Sequence, residues 1–200
     1  MPDEPQTSRR QFLGASLALA SAAGFGTQAF AATNLVALAR AELQRAGSAV
    51  RRRDVVGVTD FNQPSAAPRL HLIDMASGRV NTLLVAHGRG SDPAHSGWVR
   101  RFSNAHGSNA SSAGAYVTGA YYVGRHGRSM KLHGLDPSNS NAESRAIVVH
   151  AAAYVSADLA RRRGVLGRSQ GCFAVAGSDL DQVLTRLGPG RLLVAGKFQV

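Results

Sequence analysis

Apolar residues occur in short runs along most of the chain, and turn-forming residues separate these runs. Short runs that are rich in β-branched and aromatic residues are typical of β-strands. We expect strands over residues 55–61, 69–75, 79–86, 115–123, 129–132, 146–149 and 191–195. The turn at residues 76–78 joins the second and third strands of this series into a hairpin.

Two segments instead repeat their apolar residues at helical spacing. The first predicts a helix over residues 35–44. The second helix follows Ser178, which we expect to cap it, because Asp181 lies three residues later and apolar residues follow at helical spacing. Many short strands with two peripheral helices predict a mainly β domain, a β-rich α+β fold arranged as a sandwich or a pair of mixed sheets.

Residues 87–112 form a long segment without periodicity, rich in Gly, Ser, Asn and His. Irregular loops of this length in compact domains are more often functional than idle, so we expect a functional loop here. Residues 137–145 are polar, and we expect them to contain a helical turn.

The N-terminal residues have the pattern of an export signal. Arg9 and Arg10 precede apolar residues, no charged side chain occurs over residues 11–39, and small residues allow cleavage after Ala31. This pattern is typical of a twin-arginine signal peptide. A transmembrane anchor is the alternative, but the segment is richer in Ala, Gly, Ser and Thr than a stable span.

We therefore expect a signal peptide over residues 1–31, an N-terminal helix and linker over residues 32–54, and one folded domain over residues 55–200. The expected location is the periplasm, with no stable membrane span after signal cleavage. The twin-arginine route carries folded proteins, which fits a chain that needs no disulfide.

The chain has a net charge of +11. Such an excess suits nucleic acid, an anionic membrane surface or an acidic polymer. Nucleic acid is a poor match for an exported chain, and the sequence contains no nucleic-acid motif. The two arginine triplets, at residues 51–53 and 161–163, are expected to be solvated faces.

The chain contains a single cysteine, Cys172, within the segment Ser-Gln-Gly-Cys. Exported proteins usually pair their cysteines or lack them, so a lone thiol needs a reason. A thiol attacks as the thiolate and therefore needs a basic neighbour. His150 ends an apolar run, so it is held on a rigid element and is the candidate base.

Gly171 permits a tight turn before the sulfur, in which the amides of Gly171 and Cys172 would point at one spot and bind an oxyanion. Ser169 is expected to hydrogen-bond within this turn or to reach a substrate amide. Two alternatives stay open: Cys172 as a small buried hydrophobic residue beside Phe173, and His150 as a core histidine.

Three segments, over residues 129–134, 146–150 and 169–172, resemble the catalytic domain of the L,D-transpeptidases, cysteine enzymes that remodel bacterial peptidoglycan. The resemblance runs from about residue 55 to the C-terminus, and its most specific part is the Ser-x-Gly-Cys core. It implies an L,D-transpeptidase-like β-sandwich of mixed sheets with peripheral helices.

The sequence departs from this family pattern on both sides of the cysteine. Gln170 stands where the family usually has histidine, and residues 173–174 replace the usual apolar-basic pair. The segment between His150 and Cys172 is also longer than usual. These departures indicate a divergent branch.

The resemblance implies that Cys172 is the nucleophile and that His150 is its base. It also implies that the backbone carbonyl of Ala151 orients the histidine. The amides of Gln170, Gly171 and Cys172 would stabilise the oxyanion.

The implied reaction is attack of the cysteine on the third, L-centred residue of a peptidoglycan tetrapeptide stem, with release of D-alanine. An amine of a second stem or of an envelope protein would then resolve the thioester. Two alternatives remain: an L,D-carboxypeptidase that uses water as acceptor, and a catalytically silent periplasmic domain that binds peptidoglycan.

Cations near the site in sequence are expected to contact the carboxylates of the stem peptide, chiefly Lys131 and Arg168. His133 is expected to line the cleft, with a structural role or the role of base as alternatives. No metal or other cofactor is expected, although a metal-dependent hydrolase is a third interpretation. The remaining histidines considered lack the spacing of a known ligand set: His87, His95, His106 and His126.

Overall fold

The computed structural model describes residues 22–199. The paired arginines and most of the signal peptide expected over residues 1–31 lie outside this range. The helices are α1 (Ala22–Ala46), α2 (Ala157–Arg163) and α3 (Leu180–Arg186). Within the range described, no helix combines the length and apolar character needed to cross a membrane.

Over residues 22–199, nine strands form one hydrogen-bonded sheet in the order β3-β2-β1-β9-β5-β6-β7-β8-β4. Neighbours are parallel in the β1–β9 and β7–β8 pairs and antiparallel elsewhere. The mainly β fold with mixed pairing and peripheral helices is therefore confirmed. The strands are β1 (Val55–Asp60), β2 (Leu70–Asp74), β3 (Val80–Leu83), β4 (Val85–Ala86), β5 (Gly114–Gly124), β6 (Gly127–Gly134), β7 (Val148–Ala151), β8 (Phe173–Val175) and β9 (Leu192–Gly196).

The sheet curves until its two edge strands meet. β3 and β4 are the outermost strands in the sheet order, yet only Leu84 separates them along the chain. Residues 79–86, expected to form one strand, therefore form two: β3 pairs with β2 in the expected hairpin, and β4 pairs with β8. A register shift within β5 marks an irregularity of the kind that bends sheets.

The main core lies between the two halves of this curved sheet. Leu72 of β2, Val85 of β4, Tyr116 of β5 and Phe173 of β8 belong to one buried cluster. Burial of such side chains is the main favourable contribution to folding. The expected sandwich is thus a single sheet whose two halves face each other.

Helix α1 covers the outer face of the sheet. Its residues Leu35, Ala39 and Leu43 are buried with Val56 and Val58 of β1. This three- and four-residue spacing places one helical face against the strand. The predicted first helix is confirmed, and it is longer than the sequence pattern indicated.

Two expectations about the other helices need correction. Ser178 does not cap the last helix: α3 begins at Leu180, its N-cap is Asp179, and no side chain caps it. The amide of Asp179 donates to the carbonyl of Ala176, so Ser178 lies inside a preceding turn. Helix α2 was not expected, because its seven residues contain too few apolar residues to show a periodicity.

The local signals for α2 are nevertheless present. Ser156 is its N-cap and accepts a hydrogen bond from the amide of Leu159, and Gly164 ends it at φ 66°. The arginine triplet at residues 161–163 occupies its last turn and is solvent-exposed, as expected. Basic residues in a last helical turn also interact favourably with the helix dipole.

Residues 87–112 form the expected irregular loop, which contains a short 3-10 turn at Arg89–Ser91 and an isolated parallel β-bridge between Gly88 and Ser169. Residues 137–145 form consecutive turns, including a hydrogen bond from the amide of Arg145 to the carbonyl of Asn141. Both segments approach the same end of β7 and β8.

The packing of Phe173 generates the first prediction. Its ring lies 6.2 Å from the ring of Phe61 and meets Tyr116 edge-on at 5.5 Å. We expect Phe173→Ala to lower the free energy of unfolding by about 3–5 kcal/mol in urea titrations, because it leaves a cavity in the core. The control Val123→Ala changes a residue that is 79% exposed and should shift stability by less than about 0.5 kcal/mol. Equal effects of the two variants would contradict this account of the core.

Candidate active site

The parallel pairing of β7 and β8 places the two candidate catalytic residues on neighbouring segments of the sheet. Cys172 immediately precedes β8, and His150 lies on the neighbouring strand β7. The two strands are in register, with Val149 paired with Phe173. Cys172 is partly buried, and both residues line one open cavity of about 540 Å³. The thiol is therefore not enclosed among aliphatic side chains, which was the alternative for a lone cysteine.

The turn before the cysteine is held by the Ser169 hydroxyl. Its Oγ donates to the carbonyl of Cys172 at 2.7 Å and accepts from the amide of Gly171 at 3.1 Å. Gly171 has φ 116°, and a Cβ there would lie 2.7 Å from the carbonyl oxygen of Ala110. Only glycine fits this position without strain. Because the Gly171 amide already has a partner in the turn, it is less available to an oxyanion than expected.

The ring of His150 is fixed by its own strand. Its Nδ1 lies 2.8 Å from the carbonyl oxygen of Ala151. A carbonyl oxygen only accepts, so Nδ1 carries the proton of the neutral ring and Nε2 keeps the free lone pair. Burial lowers the pKa of His150, the Ala151 carbonyl opposes that effect, and His126 lowers the pKa further. The neutral imidazole is thus a proton acceptor at neutral pH.

A second imidazole stacks on the first. The rings of His126 and His150 have centroids 4.2 Å apart and planes inclined by 20°. His126 lies in the turn between β5 and β6, so this hairpin reaches over the cavity. The sequence drew attention to His126 only as a possible metal ligand.

The surroundings of Cys172 favour the protonated thiol. Its Sγ donates to the carbonyl of Ala146 at 3.5 Å. Burial raises the pKa of Cys172, while the Val148 amide and the charges of Arg145 and Arg125 oppose the rise. Ala146 has φ 53°, an uncommon conformation for a residue other than glycine, which suggests that its carbonyl direction matters to the site.

The other expected site residues divide into two groups. Arg168 and Gln170 line the cavity, and the Arg168 guanidinium donates to the carbonyls of Asp92 and Pro93. His133 and Lys131 do not belong to the cavity lining. The His133 ring instead lies 3.1 Å from the Glu143 carboxylate.

Several cavity residues escaped the sequence analysis. Arg145 is the most polar of them, and its only sequence signal is its position just before the apolar run that ends in His150. In the part of the chain described, no group of three or more His, Cys, Asp or Glu residues is placed to hold a metal ion. The cavity lining also includes His106, Gly107, Asn109, Tyr122, Ser144 and Tyr154.

One family model matches most of the chain. The family model described as the L,D-transpeptidase catalytic domain matches residues 28–195. None of the curated proteins matches the chain.

Three of the similar solved structures are L,D-transpeptidases from mycobacteria. One from Mycobacterium smegmatis is 12% identical, with a TM-score of 0.43, and the match covers 72% of this chain and 58% of that one. An L,D-transpeptidase from Mycobacterium tuberculosis is 13% identical, with a TM-score of 0.45 and the same two coverages. L,D-transpeptidase 3 from Mycobacterium tuberculosis is 14% identical, with a TM-score of 0.45, covering 72% of this chain and 61% of that one. The match thus spans less than two thirds of each of these relatives.

The environment of the thiol predicts how its reactivity depends on pH. Burial raises the pKa of Cys172, so alkylation by iodoacetamide should reach half-maximal rate at a higher pH in the folded protein than in concentrated urea. Because the chain has one cysteine, intact-mass measurement of the adduct reports this site alone. A midpoint lower in the folded protein would instead indicate a resting thiolate–imidazolium pair and would contradict this description.

Proposed function

The chain belongs to the family of L,D-transpeptidase catalytic domains, and on that premise we propose that it acylates Cys172 with a peptidoglycan tetrapeptide stem and transfers the acyl group to an amine. The observation that carries the proposal is the shared cavity of Cys172 and His150, with Nδ1 of the histidine fixed by the Ala151 carbonyl. A partly exposed thiol that shares a cavity with a neutral imidazole supplies the two groups that nucleophilic catalysis requires.

In the first half-reaction His150 accepts the thiol proton at Nε2 while Sγ attacks the carbonyl carbon of the third, L-centred residue. The tetrahedral intermediate places a negative charge on the carbonyl oxygen. Collapse of the intermediate breaks the peptide bond, and His150 returns the proton to the departing amine of D-alanine. The product is a thioester on Cys172 with His150 again neutral.

We assign the oxyanion site to the amides of Gln170 and Cys172. The Gly171 amide is bound to the Ser169 hydroxyl, so it contributes by holding the turn. Amides fixed before the reaction stabilise the developing charge without reorganising. Since a backbone amide does this work, glutamine in place of the family's usual histidine at position 170 is compatible with catalysis.

In the second half-reaction an amine attacks the thioester carbon, and His150 takes one proton from that amine. The bond to sulfur then breaks, the acyl group forms a new amide, and the proton on His150 restores the thiol. Water in place of the amine gives a free carboxylate and makes the protein an L,D-carboxypeptidase. The products therefore distinguish the two acceptors.

The cavity charge matches a peptide stem. Arg125, Arg145 and Arg168 line it, and the stem carries carboxylates that guanidinium groups bind well. The net charge of +11 also suits an anionic cell-wall polymer. Action on peptidoglycan requires export, for which we propose the twin-arginine signal at residues 1–31 and a periplasmic location.

Covalent capture tests the nucleophile. We expect incubation with a carbapenem, followed by intact-mass measurement, to show one covalent adduct on the natural chain and none on Cys172→Ala. Release of D-alanine from a tetrapeptide substrate should be lost in the same variant. Retained binding to cell-wall sacculi, with neither adduct nor D-alanine release from the natural chain, would favour a silent binding domain. Loss of activity with a chelator, and none with a thiol alkylator, would favour a metal-dependent hydrolase.

Substitution of the base gives an independent prediction. His150→Gln should lower the rate of D-alanine release by about 10²–10⁴-fold, the usual contribution of a general base. The matched control His71→Gln changes a histidine on β2 that pairs with Thr82 and lies outside the cavity. This control should retain the natural rate. Equal losses in the two variants would contradict the role of His150.

A further inference from the structure

Arg145 makes an unusual set of contacts beside the thiol. Its Nη1 donates to the carbonyl of Ser103 at 2.7 Å and to the hydroxyl of Ser112 at 2.6 Å. Its Nη2 donates to the carbonyl of Ala110 at 2.5 Å and to the hydroxyl of Ser108 at 3.2 Å. All four acceptors belong to residues 103–112, which we call the wall loop.

None of these acceptors carries a negative charge. Within the described range, no carboxylate forms an ion pair with Arg145, although the side chain is partly buried. Neutral carbonyls and hydroxyls satisfy the guanidinium geometry but leave its charge uncompensated. A cation held in this way can act on an anion that forms only during a reaction.

The anion that can form nearby is the thiolate of Cys172. Arg145 and Cys172 line the same cavity, and Ala146, the next residue after Arg145, accepts the hydrogen bond of the thiol. A Cβ on Gly171 would lie 3.2 Å from Nη2 of Arg145, which places the guanidinium against the cysteine turn. Burial raises the pKa of Cys172, and the charge of Arg145 opposes that rise. Burial lowers the pKa of Arg145, and Tyr116 and Cys172 oppose that fall.

The same side chain also shapes the cavity. The wall loop contributes His106, Gly107 and Asn109 to the lining, and Arg145 is bonded to residues on both sides of them. Asn109 of the wall loop has φ 51°, a left-handed conformation that asparagine adopts more readily than most residues.

We propose that Arg145 is a positioning residue for the reaction: it holds the wall loop against the cysteine turn, and its uncompensated charge stabilises the Cys172 thiolate. The inference rests on the proposed role of Cys172 as nucleophile. The test measures the titration of the Cys172 thiol, whereas the proposed function is tested by release of D-alanine. The two proposals can therefore be contradicted independently.

The other groups around the thiol must be held constant in that test. Besides Arg145 and Cys172, seven residues that line the cavity carry a titratable or charged side chain. They are His106 in the wall loop, Tyr122, Arg125 and His126 in the β5–β6 hairpin, His150 on β7, Tyr154, and Arg168 before the cysteine turn. Substitutions at Arg145 leave all of them in place, so a change in the thiol titration is attributable to position 145.

The experiment is the pH dependence of Cys172 alkylation by iodoacetamide in the full chain. We expect Arg145→Gln to raise the midpoint by about one pH unit, because a nearby positive charge is removed. Arg145→Lys retains the charge, so its midpoint should stay within about 0.3 unit of the natural chain. The lysine cannot span four acceptors, so release of D-alanine should nevertheless fall.

The control is Arg101→Gln, which removes the same charge from a neighbouring exposed arginine bonded to the carbonyl of Gly90. Its midpoint should not move. An equal rise in Arg101→Gln and Arg145→Gln, or no rise in the latter, would overturn the electrostatic role. Unchanged D-alanine release in Arg145→Lys would overturn the loop-holding role.

Two further readouts keep the inference testable. If Arg145→Gln does not fold, as judged by circular dichroism, a midpoint in Arg145→Lys raised by about one unit would contradict the charge role. Ser112→Ala removes one acceptor but no charge, so its midpoint should match the natural chain, and a rise would also count against the inference. A shifted midpoint in Arg145→Gln, with no D-alanine release by the natural chain, would leave the Arg145 inference standing and remove the proposed function.

Discussion

A short backbone ladder holds the cysteine turn against the loop that follows β4. The amide of Ser169 donates to the carbonyl of His87 at 2.9 Å, and the amide of Arg89 donates to the carbonyl of Ser169 at 2.8 Å. A Cβ on Gly88 would lie 2.8 Å from the amide nitrogen of Gly171, so only glycine allows this approach. The ladder exists because the curved sheet brings β4 next to β8, and the site therefore depends on the closure of the sheet.

A buried polar network joins this ladder at His87. Arg69 donates to Nδ1 of His87 at 2.8 Å, and Nε2 of His87 lies 3.4 Å from the Asp92 carboxylate. Burial is the main cause that lowers the pKa of His87 to about 4, so the ring is neutral and its Nε2 proton faces Asp92. Arg69 also donates to the carbonyl of Val85, which ties β4 to the network. Removing one side chain of this network would destabilise the fold, because its partner would become a buried polar group without a hydrogen bond.

The sequence predicted the parts of this structure that depend on local pattern. The apolar runs identified every strand except β8, which directly follows Cys172, and the run ending in His150 correctly placed that histidine on a strand. The sheet order was not predictable, because β9 lies between β1 and β5 through contacts that no local periodicity encodes. Arg145 and His126 escaped for the same reason: their significance comes from the wall loop and from the ring of His150, both distant along the chain.

The opposite pKa shifts of the thiol and the imidazole define the resting state of the site. Burial raises the pKa of Cys172 and lowers the pKa of His150, so both groups are neutral before substrate binds. A protonated thiol reacts slowly with oxidants and disulfides, because the thiolate is the reactive form. In the reaction proposed above, proton transfer to His150 coincides with attack on the substrate, and only then do the Arg145 charge and the amides of the turn have an anion to stabilise.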